Sequence, residues 1–222
     1  MLSLLACVLL LAGIWFGTQW LTQTNSDRAD SPVDERLPAC MLTLADGTTL
    51  DCDSLNDAMA AVQPGCVIQL NTAGPHVLQV PVADHSFEIR GAADSADERP
   101  VLAINGMWTI SGEVMLSNVD IRRKAGDSSG AATESHSHEL ITVHHGKLTL
   151  HNCRVTHDGI CLTVQSGSEC VVEDSLLASC GASHTIDFAA HRETRLTILN
   201  SVVTGESTFM LTPDRSSLGG EL

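Results

Sequence analysis

Apolar and polar residues alternate in four similar stretches of the chain. Each stretch reads apolar, any, apolar, any, Asn or Asp, small or apolar, any, apolar. The stretches begin at residues 114, 148, 170 and 196, and they are rich in Val, Ile, Leu and Thr. Alternation with a period of two predicts half-buried strands, because successive side chains of a strand point to opposite faces. Recurrence of such a stretch every few tens of residues predicts a solenoid, in which each repeat stacks on its neighbour.

One polar residue interrupts each repeat at the same position. These residues are Asn118, Asn152, Asp174 and Asn200. Asn and Asp tolerate turn conformations that other residues avoid, so each repeat is predicted to contain a strand, a bend and a short strand. A further apolar segment separates the repeats, at 140–143, 162–164, 186–188 and 209–211. The sequence therefore predicts about three short strands per turn of chain.

Stacked turns would pair each strand in parallel with its equivalent in the next turn, roughly 4.8 Å away. The four bend residues would then form one column and hydrogen-bond to each other and to the bend backbone. This pattern resembles the right-handed parallel β-helix of the pectate-lyase-like superfamily (pectin lyase fold), with its internal asparagine ladder. The resemblance covers about residues 50–212 and implies an all-β solenoid of about five coils. It implies no single activity, because that fold hosts lyases, hydrolases, esterases, epimerases and binding domains.

The first 21 residues are nearly all apolar and predict one N-terminal hydrophobic helix, just long enough to span a bilayer. Two interpretations stay open for this segment, a retained signal anchor and a cleaved signal peptide, because it has neither a cationic leading region nor a clear cleavage site. Residues 22–38 are polar and are predicted to form a linker, and residues 213–222 form a polar tail. The resemblance implies an exported domain, so we expect residues 39–212 on the extracytoplasmic side of a membrane, periplasmic or extracellular, or secreted.

Residues 40–52 predict a β-hairpin with a three-residue loop of Ala, Asp and Gly. The register places Cys40 opposite Cys52, which predicts a disulfide in an oxidising compartment; two unpaired thiols are the alternative. Ser54 is predicted to be the N-cap of a short helix over 54–62. The resemblance implies that this helix covers the N-terminal end of the solenoid, which would otherwise expose its core.

The charge balance excludes some classes of partner. The chain has 27 acidic and 12 basic residues and a formal net charge of −15. Nucleic-acid binding needs a basic surface, so we expect no nucleic-acid partner. The chain has four Phe, three Trp and no Tyr, which leaves few aromatic platforms for a sugar.

Residues 122–139 are rich in Gly, Ala and Ser and predict an inserted loop. The loop contains a G-x-S-x-G match at 126–130, but the strand and helix that this hydrolase motif needs are missing from the pattern. His136, His138 and Glu139 have the spacing of metal ligands. They are weak candidates, and a solvated loop is the alternative, so no metal or cofactor is predicted.

Alignment of the repeats places Thr142, Thr163 and Asp187 in one outward-facing row. In enzymes of the resembling fold, the corresponding groove often holds catalytic acids, bases and an Arg or Lys. If the protein is an enzyme, the resemblance makes the following residues its catalytic candidates: Asp187, His144, His191 and Arg192. A carboxylate beside a His is suited to acid–base chemistry. The row has one acid where paired carboxylates are expected, and it has no Arg or Lys.

These observations favour a non-catalytic binding or scaffold module, exported or membrane-anchored, for another envelope protein or a polysaccharide. The alternative is a carbohydrate-active enzyme, of the polysaccharide lyase or esterase type, that uses the groove around Asp187. The last coil, 196–211, is followed by a tail without an apolar stripe. We therefore expect a second copy or another envelope protein to cover this end, because solenoids need covered ends. A tail that folds back over the end is the alternative.

Overall fold

A computed structural model of the protein describes residues 37–79, 82–92, 98–125, 139–181 and 184–213. Apart from Leu37, these residues belong to the compact unit Pro38–Leu222. The predicted apolar segment 1–21 and nearly all of the predicted linker lie outside the described residues.

The domain begins with an antiparallel hairpin of strands β1 (Cys40–Thr43) and β2 (Thr49–Cys52). The register pairs Cys40 with Cys52, as the sequence predicts. Gly47 occupies the turn with φ +86°, a left-handed conformation in which a residue without a Cβ is unstrained. The hairpin is therefore built by its loop chemistry and its alternating apolar residues.

A short helix, α1 (Leu55–Ala60), follows the hairpin. Ser54 is its N-cap, and the Ser54 hydroxyl accepts a hydrogen bond of 3.2 Å from the backbone N–H of Asp57. Leu55 and Ala58 bury one side of the helix in the core. This buried side packs the helix against β1.

The strands that follow α1 are short and come in sets of three. Their bounds are β3 (Cys66–Leu70), β4 (His76–Leu78), β5 (Val82–Ala83), β6 (Phe87–Gly91), β7 (Val101–Ile104), β8 (Trp108–Ile110), β9 (Glu113–Ser117), β10 (Asp120–Arg123), β11 (Glu139–Val143), β12 (Lys147–His151), β13 (Arg154–His157), β14 (Ile160–Val164), β15 (Glu169–Glu173), β16 (Leu176–Ser179), β17 (His184–Ala190), β18 (Arg195–Leu199), β19 (Val202–Thr204) and β20 (Ser207–Pro213).

Each strand of a set pairs in parallel with the equivalent strand of the next set, which produces three sheets. Sheet A has the order β18-β15-β12-β9-β6-β3, and β1 and β2 extend it in the antiparallel sense. Sheet B has the order β19-β16-β13-β10-β7-β4, and sheet C has the order β20-β17-β14-β11-β8-β5. Six strands are separated by five steps, so the chain makes about five turns. The predicted parallel β-solenoid is confirmed.

The core lies inside the three sheets, where inward side chains stack in columns. One column of sheet A consists of Ile68, Ile89, Leu116, Leu150 and Val172, all without solvent exposure. Along this column, each side chain stacks on the equivalent residue of the neighbouring coil, and Ile68 is also in register with Leu42 of the hairpin. The resulting core is one continuous stack along the solenoid axis.

Several cysteines serve as small core residues. Cys153, Cys161 and Cys170 are buried, and every described cysteine is free. Cys161 lies on β14 and Cys180 directly follows β16, and both are free thiols. Burial raises the pKa of Cys161 to about 12 and that of Cys153 to about 11, because a thiolate is poorly solvated in the core. Both are therefore protonated at neutral pH.

Candidate functional site

The bend residues form a column at the corner between sheets A and B. Asn118, Asn152, Asp174 and Asn200 all have left-handed backbone conformations, with φ between 46° and 56°. Asn152 donates from Nδ2 to Oδ1 of Asn118, and Asn200 donates in the same direction to Oδ1 of Asp174. The backbone N–H groups of the first three residues also donate to carbonyl oxygens of the next coil. Side chains and backbone of the bends thus satisfy each other across coils.

The column is interrupted between Asn152 and Asp174. A carboxylate has no N–H group to donate, so Asp174 cannot continue the series of donations to Oδ1 of Asn152. Nη2 of Arg99 takes that place and donates to Oδ1 of Asn152 at 2.6 Å. Because Oδ1 of Asp174 accepts from Asn200, its second oxygen, Oδ2, is left for a partner outside the column.

A histidine and a second carboxylate lie at this interruption. Nδ1 of His151 is 3.5 Å from Oε2 of Glu173 and 3.9 Å from Oδ2 of Asp174. One donor atom from each of the three side chains lies within 4.8 Å of the others. His151 and Glu173 are neighbours in the register of β12 and β15, and both side chains are about half exposed. We name these three residues the bend cluster.

The sequence analysis missed the bend cluster and selected other metal-ligand candidates. His136 and His138 lie outside the described residues. Glu139 is described, and its Oε2 accepts a hydrogen bond of 2.8 Å from the hydroxyl of Thr142. A signal for the bend cluster exists in the sequence: Asp replaces Asn at one bend, and the residue before that bend aligns with His151.

The outward row of sheet C has the predicted register. Thr142 pairs with Thr163, and Thr163 pairs with Asp187. The two threonines are buried, with 3% and 7% exposure, so a ligand lying along this row would reach Asp187 and not the threonines. Oδ1 of Asp187 accepts a hydrogen bond of 2.8 Å from Thr212, and Oδ2 lies 4.0 Å from Nε2 of His184.

The other three catalytic candidates lie at other places. His144 is exposed and packs edge-on against His145, with ring centroids 4.3 Å apart. It is two strands and two residues away from Asp187, so strand geometry places their Cα atoms roughly 12 Å apart. His191 and Arg192 are exposed in the turn after β17. The carboxylate is thus brought together with His184, a histidine that the sequence analysis did not select.

The N-terminal end holds a buried Cys–His contact beside a cavity. Sγ of Cys40 lies 3.7 Å from Nδ1 of His76, and Nε2 of His76 lies 2.9 Å from the carbonyl oxygen of Thr72. A carbonyl only accepts, so Nε2 carries the proton and Nδ1 is the acceptor for the thiol. Burial, followed by the nearby Cys52 and Asp57, raises the pKa of Cys40 to about 11. The cavity has a volume of about 390 Å³ and is lined by His76 and Thr72 among others.

The same contact bears on the predicted disulfide. Cys40 and Cys52 face each other in the predicted register, but both are free thiols. Their sulfur atoms have separate partners, since Sγ of Cys52 lies 3.8 Å from the carbonyl oxygen of Leu50 while Sγ of Cys40 contacts His76. The structure therefore does not support the disulfide, and an oxidising compartment loses that argument.

The C-terminal end exposes residues that occupy core positions elsewhere. Phe209 pairs in register with Ile186, and Leu211 pairs with Phe188. Ile186 is completely buried, whereas Phe209 is 44% and Leu211 is 68% exposed. In the described chain, β18, β19 and β20 are the last strands of their sheets. This surface, which we call the terminal coil, presents strand edges and apolar side chains together.

In the part of the chain that the structure describes, no helix has both the length and the apolar character needed to cross a membrane. Comparison of the chain with protein-family models, with curated proteins and with solved structures gave no match.

Proposed function

We propose that the protein is a non-catalytic binding or scaffold module that binds another polypeptide through its terminal coil. The observation that carries this proposal is the exposure of Phe209 and Leu211 at inward register positions. Burying a side chain of this size stabilises a complex by about 1.5–3 kcal/mol. The unpaired edges of the last strands add backbone donors and acceptors, which a partner strand can satisfy by β-augmentation. A polysaccharide offers no such strand, so the geometry favours a polypeptide partner.

A second copy of the chain is the partner that fits this surface best. The terminal coil consists of three strand edges around an apolar centre, and the matching arrangement is the same end of another copy. The N-terminal end of sheet A is extended by the antiparallel β1 and β2, so it does not offer an equivalent surface. Association of two terminal coils would bury Phe209 and Leu211 together.

The finer features of the domain belong to the same proposal. The handedness and the pectate-lyase-like membership of the solenoid are proposed from the resemblance of its repeats. We also propose that α1 and the hairpin cover the N-terminal end, since Leu55 and Ala58 are buried in the core there. Residues 1–21 would anchor the domain or direct its export, and an anchor would hold copies close together and raise their effective concentration.

The association can be measured on a protein that lacks residues 1–33. We expect sedimentation velocity to give a dimer, and Leu211→Glu to convert it to a monomer because a charge at the contact is costly to bury. Met115→Glu is the matched control, since Met115 is 43% exposed in the middle of the solenoid, and it should leave the dimer intact.

Two outcomes would contradict the proposal. A monomer at all concentrations would exclude the second copy as partner. If removal of residues 214–222 then causes aggregation, the tail covers the end and no partner is needed. Equal loss of the dimer in both Glu variants would place the contact elsewhere.

An enzyme remains the second candidate, because Asp187 is close to His184 and is only partly exposed. A carboxylate and an imidazole at this spacing suit proton transfer in a polysaccharide lyase or an esterase. Incubation with acidic and neutral polysaccharides tests this function through new reducing ends, unsaturated products or released acyl groups. Activity that Asp187→Asn abolishes would favour the enzyme over the binding module.

A further inference from the structure

We propose that the bend cluster, His151, Glu173 and Asp174, binds a divalent transition-metal ion of the Zn²⁺ class. The donor set is one imidazole nitrogen and two carboxylate oxygens, which are ordinary ligands of zinc. Ca²⁺ and Mg²⁺ prefer sets made of oxygen alone, so the nitrogen of His151 favours the transition metal. Three protein ligands leave a fourth tetrahedral position for water.

The distances within the bend cluster suit one ion. Two ligand atoms at about 2.1 Å from a tetrahedral ion are separated by roughly 3.4 Å. Nδ1 of His151 lies 3.5 Å from the Glu173 carboxylate and 3.9 Å from the Asp174 carboxylate. Small side-chain rotations therefore bring all three atoms to bonding distance without moving the backbone.

The backbone beneath the bend cluster is fixed on both strands. His151 and Glu173 end β12 and β15 at paired positions. The N–H of Asn152 donates to the carbonyl oxygen of Glu173 at 3.0 Å, and the N–H of Asp174 donates to that of Leu199 at 3.1 Å. A site on rigid strands holds its ligands in place before the ion arrives.

A second hydrogen bond orients the carboxylate of Asp174. Its Oδ1 accepts from Nδ2 of Asn200, which leaves Oδ2 on the side of His151. Ligating carboxylates in metal sites are typically held in this way by an outer partner. Asn200 would therefore act as a positioning residue for the ion.

The interruption of the asparagine column is the independent argument for a ligand. An Asn at position 174 would donate to Oδ1 of Asn152 and continue the column, as Asn152 and Asn200 do in their own coils. The Asp gives up that bond, and Arg99 occupies the acceptor instead. The Asp also brings a second negative charge next to Glu173. A cation bound between the carboxylates would offset the repulsion between them.

Calorimetric titration with ZnCl₂, on the protein that lacks residues 1–33, tests the site. We expect one saturable ion per chain and an increase in melting temperature with Zn²⁺, because a ligand of the folded state stabilises it. Asp174→Asn should weaken Zn²⁺ binding by more than about tenfold, since even outer partners contribute that much. The same variant should melt no lower than the wild type without metal, because it restores the column.

Glu173→Gln is the second variant and keeps the shape of the side chain if Asp174→Asn fails to fold. His85→Gln is the matched control, because His85 forms a surface pair with Asp84 at 3.2 Å, and among the described residues no third ligand completes a metal-binding group there. Zn²⁺ affinity should fall in the first two variants and stay unchanged in the control. Equal affinity in all three would overturn the site, and so would tight binding of Ca²⁺ without binding of Zn²⁺. The monomer–dimer equilibrium is measured separately, so this result is independent of the proposed function.

Discussion

Replacement of Asn152 by Leu tests the role of the bend column. Asn152 has φ +51°, donates to Asn118 and accepts from Arg99. A Leu in the left-handed conformation costs about 1–2 kcal/mol. Loss of the neutral hydrogen bond costs about 0.5–1.5 kcal/mol, and loss of the bond from the guanidinium about 1.5–3 kcal/mol. The free energy of unfolding should therefore fall by about 3–6.5 kcal/mol.

Asn152→Gly separates the cost of the left-handed backbone conformation from the cost of losing the hydrogen bonds. Gly keeps the left-handed conformation without strain but loses both hydrogen bonds, so we expect it to destabilise by roughly 1 kcal/mol less than Leu. Thr149→Ser is the control, because Thr149 is half-buried on the same strand, β12, and takes no part in the column. Its effect should stay within about 0.5 kcal/mol.

Urea unfolding followed by circular dichroism gives these differences from the midpoints, provided that the slope m is unchanged. If Asn152→Leu is no more destabilising than Asn152→Gly, the backbone at this bend is not held in the left-handed region. If both match Thr149→Ser, the hydrogen bonds of the column contribute nothing measurable, and the account of the bends is wrong.

Three further predictions concern packing and ionisation. Gly91→Ala should destabilise by about 1–3 kcal/mol, because a Cβ there would collide with the carbonyl oxygen of Asn118. Gly106→Ala should incur only left-handed backbone strain, because nothing lies within 4 Å of a Cβ at that position. Leu150→Ala should lower the free energy of unfolding by about 2–5 kcal/mol, and Ile198→Ala in the terminal coil should cost less because Ile198 is only partly buried. The raised pKa of Cys161 favours the protonated thiol in the folded state, so its contribution to stability is present below pH 9 and is lost as the pH rises from 9 towards about 12. Urea midpoints of unfolding, measured across that pH range, should fall as the pH rises. A urea midpoint that increases with pH would contradict the prediction.

The repeat pattern was sufficient to predict the solenoid, because each coil repeats the same apolar and bend positions. Four bends were visible as Asn or Asp, and in the structure each directly follows a residue that pairs in register with the equivalent residue of a neighbouring coil. The preceding coil was harder to align. Gly91 ends β6 directly after Arg90, which pairs with Ser117, and a Cβ at Gly91 would collide with the carbonyl oxygen of Asn118. A steric requirement of this kind leaves no polar signature in the sequence.

The candidate site was predicted less well, because side-chain partners depend on contacts between coils. Alignment placed Asp187 in its row correctly, but a strand alignment does not say that His184, three residues earlier, turns towards the carboxylate. The bend cluster likewise joins residues from two repeats, and it emerges only when Glu173 is placed beside His151. The contact of Arg99 is harder to predict from sequence. Arg99 lies in the segment before β7, and its side chain hydrogen-bonds to Asn152 at a bend two coils away.

The asymmetry of the two ends determines what kind of assembly the proposed contact would form. If the terminal coil of one copy met the N-terminal end of the next, the contact would be head-to-tail, and unclosed contacts of that type produce filaments. The antiparallel strands β1 and β2 lie at the N-terminal edge of sheet A, and Leu55 of α1 is buried in the core there. Sheet A therefore does not offer a parallel strand at this end, and head-to-tail growth could not continue all three sheets. A contact between two terminal coils is self-complementary and uses each surface once. In the proposed assembly, the exposed Leu211 of one copy would be covered by the same surface of its partner, and association would stop at a closed dimer.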